Sequence, residues 1–282
     1  MSNKEQLTEL VTQTRRDIVR MVHAVQSGHP GGSLGCTEFM VALYNNVMEY
    51  TPKPFNMDGN NEDIFFLSNG HISPLFYSVL ARAGFFDISE LSTFRKLNTR
   101  LQGHPTTHEH LPGVRIASGS LGQGISVAVG AALAKKMNND THTVYVLCGD
   151  GELQEGQIWE AVMFAAAKKV DNIILTIDLN GQQIDGATKD VLPIGDVRQK
   201  FDAFGWQTFH MANGNNIDEV ISVLNDAKKA CGNGKPIAII MKTEMGAGVD
   251  FMMGSHKWHG IAPNDEQLQT ALAQLHSTIV DY

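Results

Sequence analysis

The chain has 282 residues, 43% of them hydrophobic and 18% charged, with a formal net charge of -8. That length accommodates one large domain or two small ones, and the acidic balance without a basic stripe excludes a nucleic-acid binder. The polar start MSNKEQLTEL has no signal-peptide core, and no apolar run approaches the roughly 20 residues needed to span a bilayer.

In chain order, Leu7, Leu10, Val11, Ile18, Val22 and Val25 recur at helical spacing, so a long amphipathic helix is predicted over 4–26. SGHPGGSLG at 27–35 breaks it, and CTEFMVALYNNVM restarts a helix. IFFLS at 64–68 reads as a buried strand followed by a helix over 73–83, and a further helix is expected through 123–137. A regular series follows: strand TVYVLC, helix IWEAVMFAAAKK, strand NIILTID, strand WQTFH, helix 217–230 and strand PIAIIMK. Continuous apolar strands alternating with helices define an α/β fold, a parallel sheet flanked by helices on both faces. No repeat or linker divides residues 1–282, so a single domain is expected, with TKDVLPIGDVRQKF at 188–201 as a loop excursion. Cys36, Cys148 and Cys231 lack CxxC or metal-ligand spacing and read as thiols of a reducing, cytoplasmic compartment.

Ligands of open parallel sheets bind at the carboxyl ends of the strands. There the loops begin SNGH, GDGELQEG, LNGQQIDG and TEMGAG, with GSHKWHG close behind. Asp150, between Gly149 and Gly151, has its backbone free to approach a ligand, and the helix expected from 155 offers an N-terminus to a phosphate. Asn180 lies at the next strand end. A carboxylate, an amide oxygen and a loop carbonyl are hard ligands for Mg²⁺ or Ca²⁺, which completes its shell with phosphate and water. A lone GDG reads instead as a tight turn with Asp150 as helix cap; the spacing to Asn180 favours the cation.

GDG followed some thirty residues on by Asn resembles the thiamine diphosphate-binding motif. SGHPGGSLG (27–35), LSNGH (67–71), QGHP (102–105), SGSLGQG (118–124) and GSHKWHG (254–260) resemble, in order, the N-terminal diphosphate-binding domain of transketolase. The resemblance implies thiamine diphosphate with Mg²⁺ (or Ca²⁺ or Mn²⁺) as cofactors. Asp150, Asn180 and the carbonyl of Gln182 would ligate the metal, and Gly151 would offer its amide to the diphosphate. Gly119 and Leu121 would contact the cofactor's rings, with Ile184 lining the thiazolium pocket. His29, His71, His104 and His256 match the family's active-site histidines, His71 and His256 also touching cofactor, and Glu155 matches an acid at the family's subunit interface. Ser120 stands where many members have Pro, and Leu179 replaces an acid before the Asn.

Each of those four histidines follows a glycine, or a Ser just after one, and imidazoles can exchange protons with ketose hydroxyls. His259, three residues on, stays outside that group. His23 and His142 read as structural, and His108, Glu109 and His110 as a solvated loop without ligand spacing.

The reaction implied is transfer of a two-carbon ketol unit from a ketose phosphate to an aldose phosphate. The sequence stops shortly after GSHKWHG, where the family's first domain ends. The expectation is therefore the N-terminal subunit of a split transketolase, completed by a C-terminal subunit carrying the pyrimidine-binding domain, with two copies of each. A relative acting on a modified sugar, or a fragment like 1-deoxyxylulose-5-phosphate synthase, is the alternative within enzymes. A dinucleotide binder and a non-catalytic partner subunit are the others. The first of these lacks GxGxxG after a strand.

Overall fold

A computed structural model describes residues 3–277 and 279–282. The chain opens with α1 (Asn3–Val25), whose Leu7, Val11, Ile18 and Val22 are buried, as the spacing predicts. Next come α2 (Pro30–Gly35) and α3 (Thr37–Ala42), the latter running into a π-helical turn, Leu43–Val47. β1 (Ile64–Leu67), α4 (Ser73–Arg82) and α5 (Gly124–Met137) follow. Then come β2 (Val144–Gly149), α6 (Gly156–Ala167) and β3 (Ile173–Leu179). A small hairpin, β4 (Gln182–Gln183) and β5 (Gly186–Ala187), leads into α7 (Thr188–Val191) and α8 (Val197–Ala203). The chain finishes with β6 (Gln207–Met211), α9 (Ile217–Lys229), β7 (Ile237–Lys242) and α10 (Asp265–Gln274).

The main sheet is parallel throughout, in the order β1-β2-β3-β7-β6. Successive strand residues face opposite sides. Tyr145 and Leu147 of β2 enter the core beneath α1, α3, α4 and α9, while Val144, Val146 and Cys148 enter the core beneath α5, α6 and α8. Helices thus cover both faces. Among the described residues no helix is long and apolar enough to cross a membrane.

The amino ends of the strands are fastened by charge. Asp63, just before β1, accepts from Thr143 N at 2.7 Å, Glu49 N at 2.9 Å and Lys228 Nζ at 2.9 Å. Lys135, at the end of α5, donates to the Gly59 and Glu62 carbonyls and to Asp140 at 2.7–2.9 Å. Arg115 pairs with Glu62.

Three expectations need correction. The segment 27–35 is not merely a break: Pro30 supplies a pre-set φ at the first turn of α2, which is buried throughout. Gly31 permits that burial, because a Cβ there would lie 2.7 Å from both the Trp258 carbonyl and Met245 Cγ. The excursion at 188–201 carries two helices, since Val197 and Phe201 turn into the core beside Trp206. The helix after the GDG turn begins at Gly156, and a 3-10 turn, Gly151–Gln154, comes first.

Candidate functional site

The loops after β1, β2 and β3 meet the start of α2 around a cavity of about 300 Å³ at the carboxyl rim. β1 contributes Asn69 and His71. β2 contributes the stretch from Gly149 to Glu155 except Leu153. β3 contributes Asp178, Asn180, Gln182, Gln183 and Ile184. His29 and Gly32 come from the α2 segment, and Gly119, Leu121 and His259 complete the wall. TEMGAG, after β7, does not line it; that loop instead sends the Thr243 hydroxyl to Asp178. Of α6 only the N-cap residue Glu155 reaches the wall, and the rest of that stretch comes from the strand end and the 3-10 turn before it.

Asp150 is 1% exposed. Its Oδ1 accepts from Gly151 N at 2.7 Å and its Oδ2 from Gly181 N at 2.6 Å, so it does cap the short turn that follows. Burial, then the neighbouring Asp178 carboxylate, pushes its pKa up to about 7. Asp178 is raised as well, chiefly by burial, against hydrogen bonds from Thr243, Cys36 and Asn180. Asn180 donates to Asp178 Oδ2 at 2.8 Å and accepts from Gln182 N at 2.9 Å. Two buried carboxylates side by side, bonded only to neutral donors, form an electron-rich pair at the cavity floor. Gly151, whose amide was expected to face a diphosphate, here donates it to Asp150.

Glu152 organises the opposite wall. It is 2% exposed and accepts from Gly122 N at 2.8 Å, Gly149 N at 3.1 Å and the Ser68 hydroxyl. One carboxylate thus joins the ends of β1 and β2 to the loop carrying Gly119 and Leu121. In the sequence it is one acid among several in GDGELQEG, with nothing to set it apart.

Four imidazoles cluster at the entrance. The His29 ring lies 5.2 Å from His71, 6.2 Å from His104 and 5.5 Å from His259, and His71 lies 5.0 Å from His259. Burial is the main cause lowering all four pKa values; cationic neighbours add to it at His29, His71 and His104, Asp185 opposes it at His259, and His29 falls to about 4. His256, expected in this group, does not line the cavity; His259, one 3-10 turn further on, does. His104 is exposed at the rim beside Gly119. His23 bonds to Asp265 and His142 to Asp140, while His108 and His110 are exposed.

Glu155 is exposed at the mouth, and Leu121 and Ile184 are 36% and 61% exposed there. His29 Nδ1, Asn69 Oδ1 and Gln183 Nε2 are buried without a partner. Unpaired polar atoms on a cavity wall are donors and acceptors prepared for a polar ligand. Among the described residues no group of three or more His, Cys, Asp or Glu forms a metal cluster.

These features define an α/β protein that holds a polar ligand at the carboxyl rim of an open parallel sheet. Residues 7–277 match the family described as transketolase, thiamine diphosphate binding domain. An apulose-4-phosphate transketolase subunit from Actinobacillus succinogenes is 37% identical over 93% of this chain and 92% of its own length. A 6-deoxy-6-sulfo-D-fructose transketolase subunit from a Clostridium species is 40% identical over 88% of each. The crystal structure of transketolase from Campylobacter jejuni superposes with a TM-score of 0.88 at 34% identity, covering 98% of this chain but 44% of that one. The chain belongs to the transketolase family, as its N-terminal, thiamine diphosphate-binding part.

Proposed function

We propose that this chain is a single diphosphate-binding domain and one half of a split transketolase, moving a two-carbon ketol unit from a ketose to an aldose phosphate. The observation that carries the reading is the cavity floor, where Asp150 and Asp178 lie beside Asn180 and Gln182 beneath unpaired polar atoms. Asp150, Asn180 Oδ1 and the Gln182 carbonyl would hold Mg²⁺ (or Ca²⁺ or Mn²⁺). Each oxygen already accepting one hydrogen bond keeps a second lone pair for the cation. The cation would anchor the diphosphate of an otherwise anionic cofactor next to an acidic floor.

When bound, thiamine diphosphate supplies the carbon nucleophile and electron sink for carbon–carbon cleavage. The chain's own residues orient, dry and protonate. Leu121 and Ile184 give apolar contact at the mouth, and Gly119 lets a ring approach the backbone. His29, His71, His104 and His259 can each accept a proton from a sugar hydroxyl and return it.

A second subunit fits the half-open mouth, where Ile184 and Leu121 remain exposed and Glu155 is available for contact. This chain matches almost the whole of a relative named as a subunit and spans less than half of a transketolase solved as one chain. The partner would carry the pyrimidine-binding domain, in an assembly with two copies of each subunit. Both relatives are named for modified sugars, which supports a modified sugar as a substrate of this chain too. Three free cysteines fit a reducing cytoplasm.

The test is a ketol-transfer assay of this chain with and without its co-expressed partner, beside calorimetry of thiamine diphosphate and Mg²⁺. Activity is expected only from the pair, with Asp150→Ala abolishing cofactor retention. Full activity from the isolated chain, or unchanged cofactor affinity in the variant, overturns the reading.

A further inference from the structure

Arg95 stands outside the cavity wall and belongs to none of the motifs, yet its surroundings are unusual. Its backbone has φ +55°, a conformation that non-glycine residues keep only where the surroundings over-determine it. Its amide donates to the Leu101 carbonyl at 2.9 Å, closing the loop on itself. Nη1 donates to the Ser27 hydroxyl at 2.9 Å and Nη2 reaches the Gly103 carbonyl at 3.4 Å. Ser27 is two residues before His29, and Gly103 immediately precedes His104. The fit is close: a Cβ on Gly103 would lie 2.8 Å from the guanidinium carbon, so a larger residue there would push the Arg95 side chain from its place.

We infer that Arg95 is a positioning residue that ties the His29 loop to the His104 loop and sets the geometry and charge state of both imidazoles. The inference rests on the ketol-transfer reading above. Both bonded acceptors are neutral oxygens, so no bonded carboxylate cancels the guanidinium charge where it faces the histidines. A purely structural arginine of this protein looks different: Arg82 forks onto buried Asp17, and Arg16 onto Asp281. The groups facing His29 are His71, His104, His259 and Arg95, and Arg95 also faces His104. Tyr77 lies near Arg95, and Asp185 near His259. A fixed cation among imidazoles favours their neutral forms, in the same direction as burial. Lysine would keep the charge but lose the two-pronged tie.

The complex with its partner subunit is assayed as wild type, Arg95→Met and Arg95→Lys, and ring NMR follows His29 and His104 in the full chain. Arg95→Met is expected to lower kcat by up to about 10²-fold, the scale of a misplacement near 1 Å, with little change in cofactor affinity. Its acid limb of kcat and the two histidine titrations should move up by about one pH unit, because the cation that opposed protonation is gone. Arg95→Lys should keep the acid limb near wild type while turnover still falls. Wild-type kcat and an unmoved acid limb in Arg95→Met overturn the inference. So does a loss of turnover that merely tracks lost folding or cofactor, with histidine titrations unmoved. If the wild-type complex transfers no ketol unit, the functional reading fails separately, and the histidine titrations still decide the role of Arg95.

Discussion

Replacing Glu152 by Ala removes one acceptor group from three donors. Gly122 N–H at 2.8 Å and Gly149 N–H at 3.1 Å point at its two oxygens, and the Ser68 hydroxyl shares the first of them. Ser68 can rotate toward another acceptor, but the two amides are fixed by the backbone. A buried unpaired N–H costs about 1–3 kcal/mol, and water entering the void offsets part of that, so about 3 kcal/mol is expected. Glu152→Gln separates the contributions. Its amide oxygen can keep Gly122 and Ser68, but its NH₂ then faces the Gly149 N–H, donor against donor, at about 1–2 kcal/mol. Urea unfolding of the two variants should rank them Gln above Ala, both below wild type. Calorimetry should show weaker thiamine diphosphate binding in the Ala variant, because the loop carrying Gly119 and Leu121 loses its tie to β2. An unchanged urea midpoint together with unchanged cofactor affinity for Glu152→Ala refutes the idea that this carboxylate builds the wall.

His259→Ala should cut turnover of the complex by about 10²–10⁴-fold and His256→Ala by much less, since only the first lines the cavity; equal losses in steady-state kinetics would contradict the assignment. Phe201→Ala, fully buried against Trp159 and Trp206 at ring distances of 5.7 and 5.5 Å, should cost about 3–5 kcal/mol in urea unfolding, and a loss under about 1 kcal/mol would mean that α8 is not a core element. Arg16 binds both oxygens of Asp281 and holds its pKa down to about 2, below the usual 3.8. A depressed carboxylate contributes stability that is complete above its unfolded value and is lost as pH falls through the folded one. Thermal melts should therefore decline between about pH 4 and pH 2, with Asp281→Asn flattening that part of the curve; an identical acid limb in the variant would sink the argument.

The parallel sheet was legible because each strand is a short continuous apolar run, a pattern that follows from burial on both faces. Asp150 and Asn180 were legible because strand ends in such a sheet share one rim. The histidine choice was not. His256 and His259 sit three residues apart on a 3-10 turn, where positions i and i+3 project alike, so spacing alone cannot choose between them. α8 has seven residues, too few to show a helical period, and its two buried residues read equally well as a loop. The capped helix α10 was also missed, although Asn264 and Gln267 form a reciprocal capping box. Asp178 read only as a strand end, and its buried side chain became meaningful once β2 and β3 were registered with Gly149 opposite it.

The two ends of the sheet answer to different variables. Asp63, Lys228, Lys135, Asp140, Arg115 and Glu62 bind the amino ends of the strands with full charges. The carboxyl rim, by contrast, relies on amides, hydroxyls and imidazoles around its three buried acids, Asp150, Glu152 and Asp178. None of those charged fastenings lies on the cavity wall, so a change of wall residues leaves them in place. The frame can therefore stay fastened while a rim loop is exchanged, and a lineage can try a different sugar without refolding the protein that holds it.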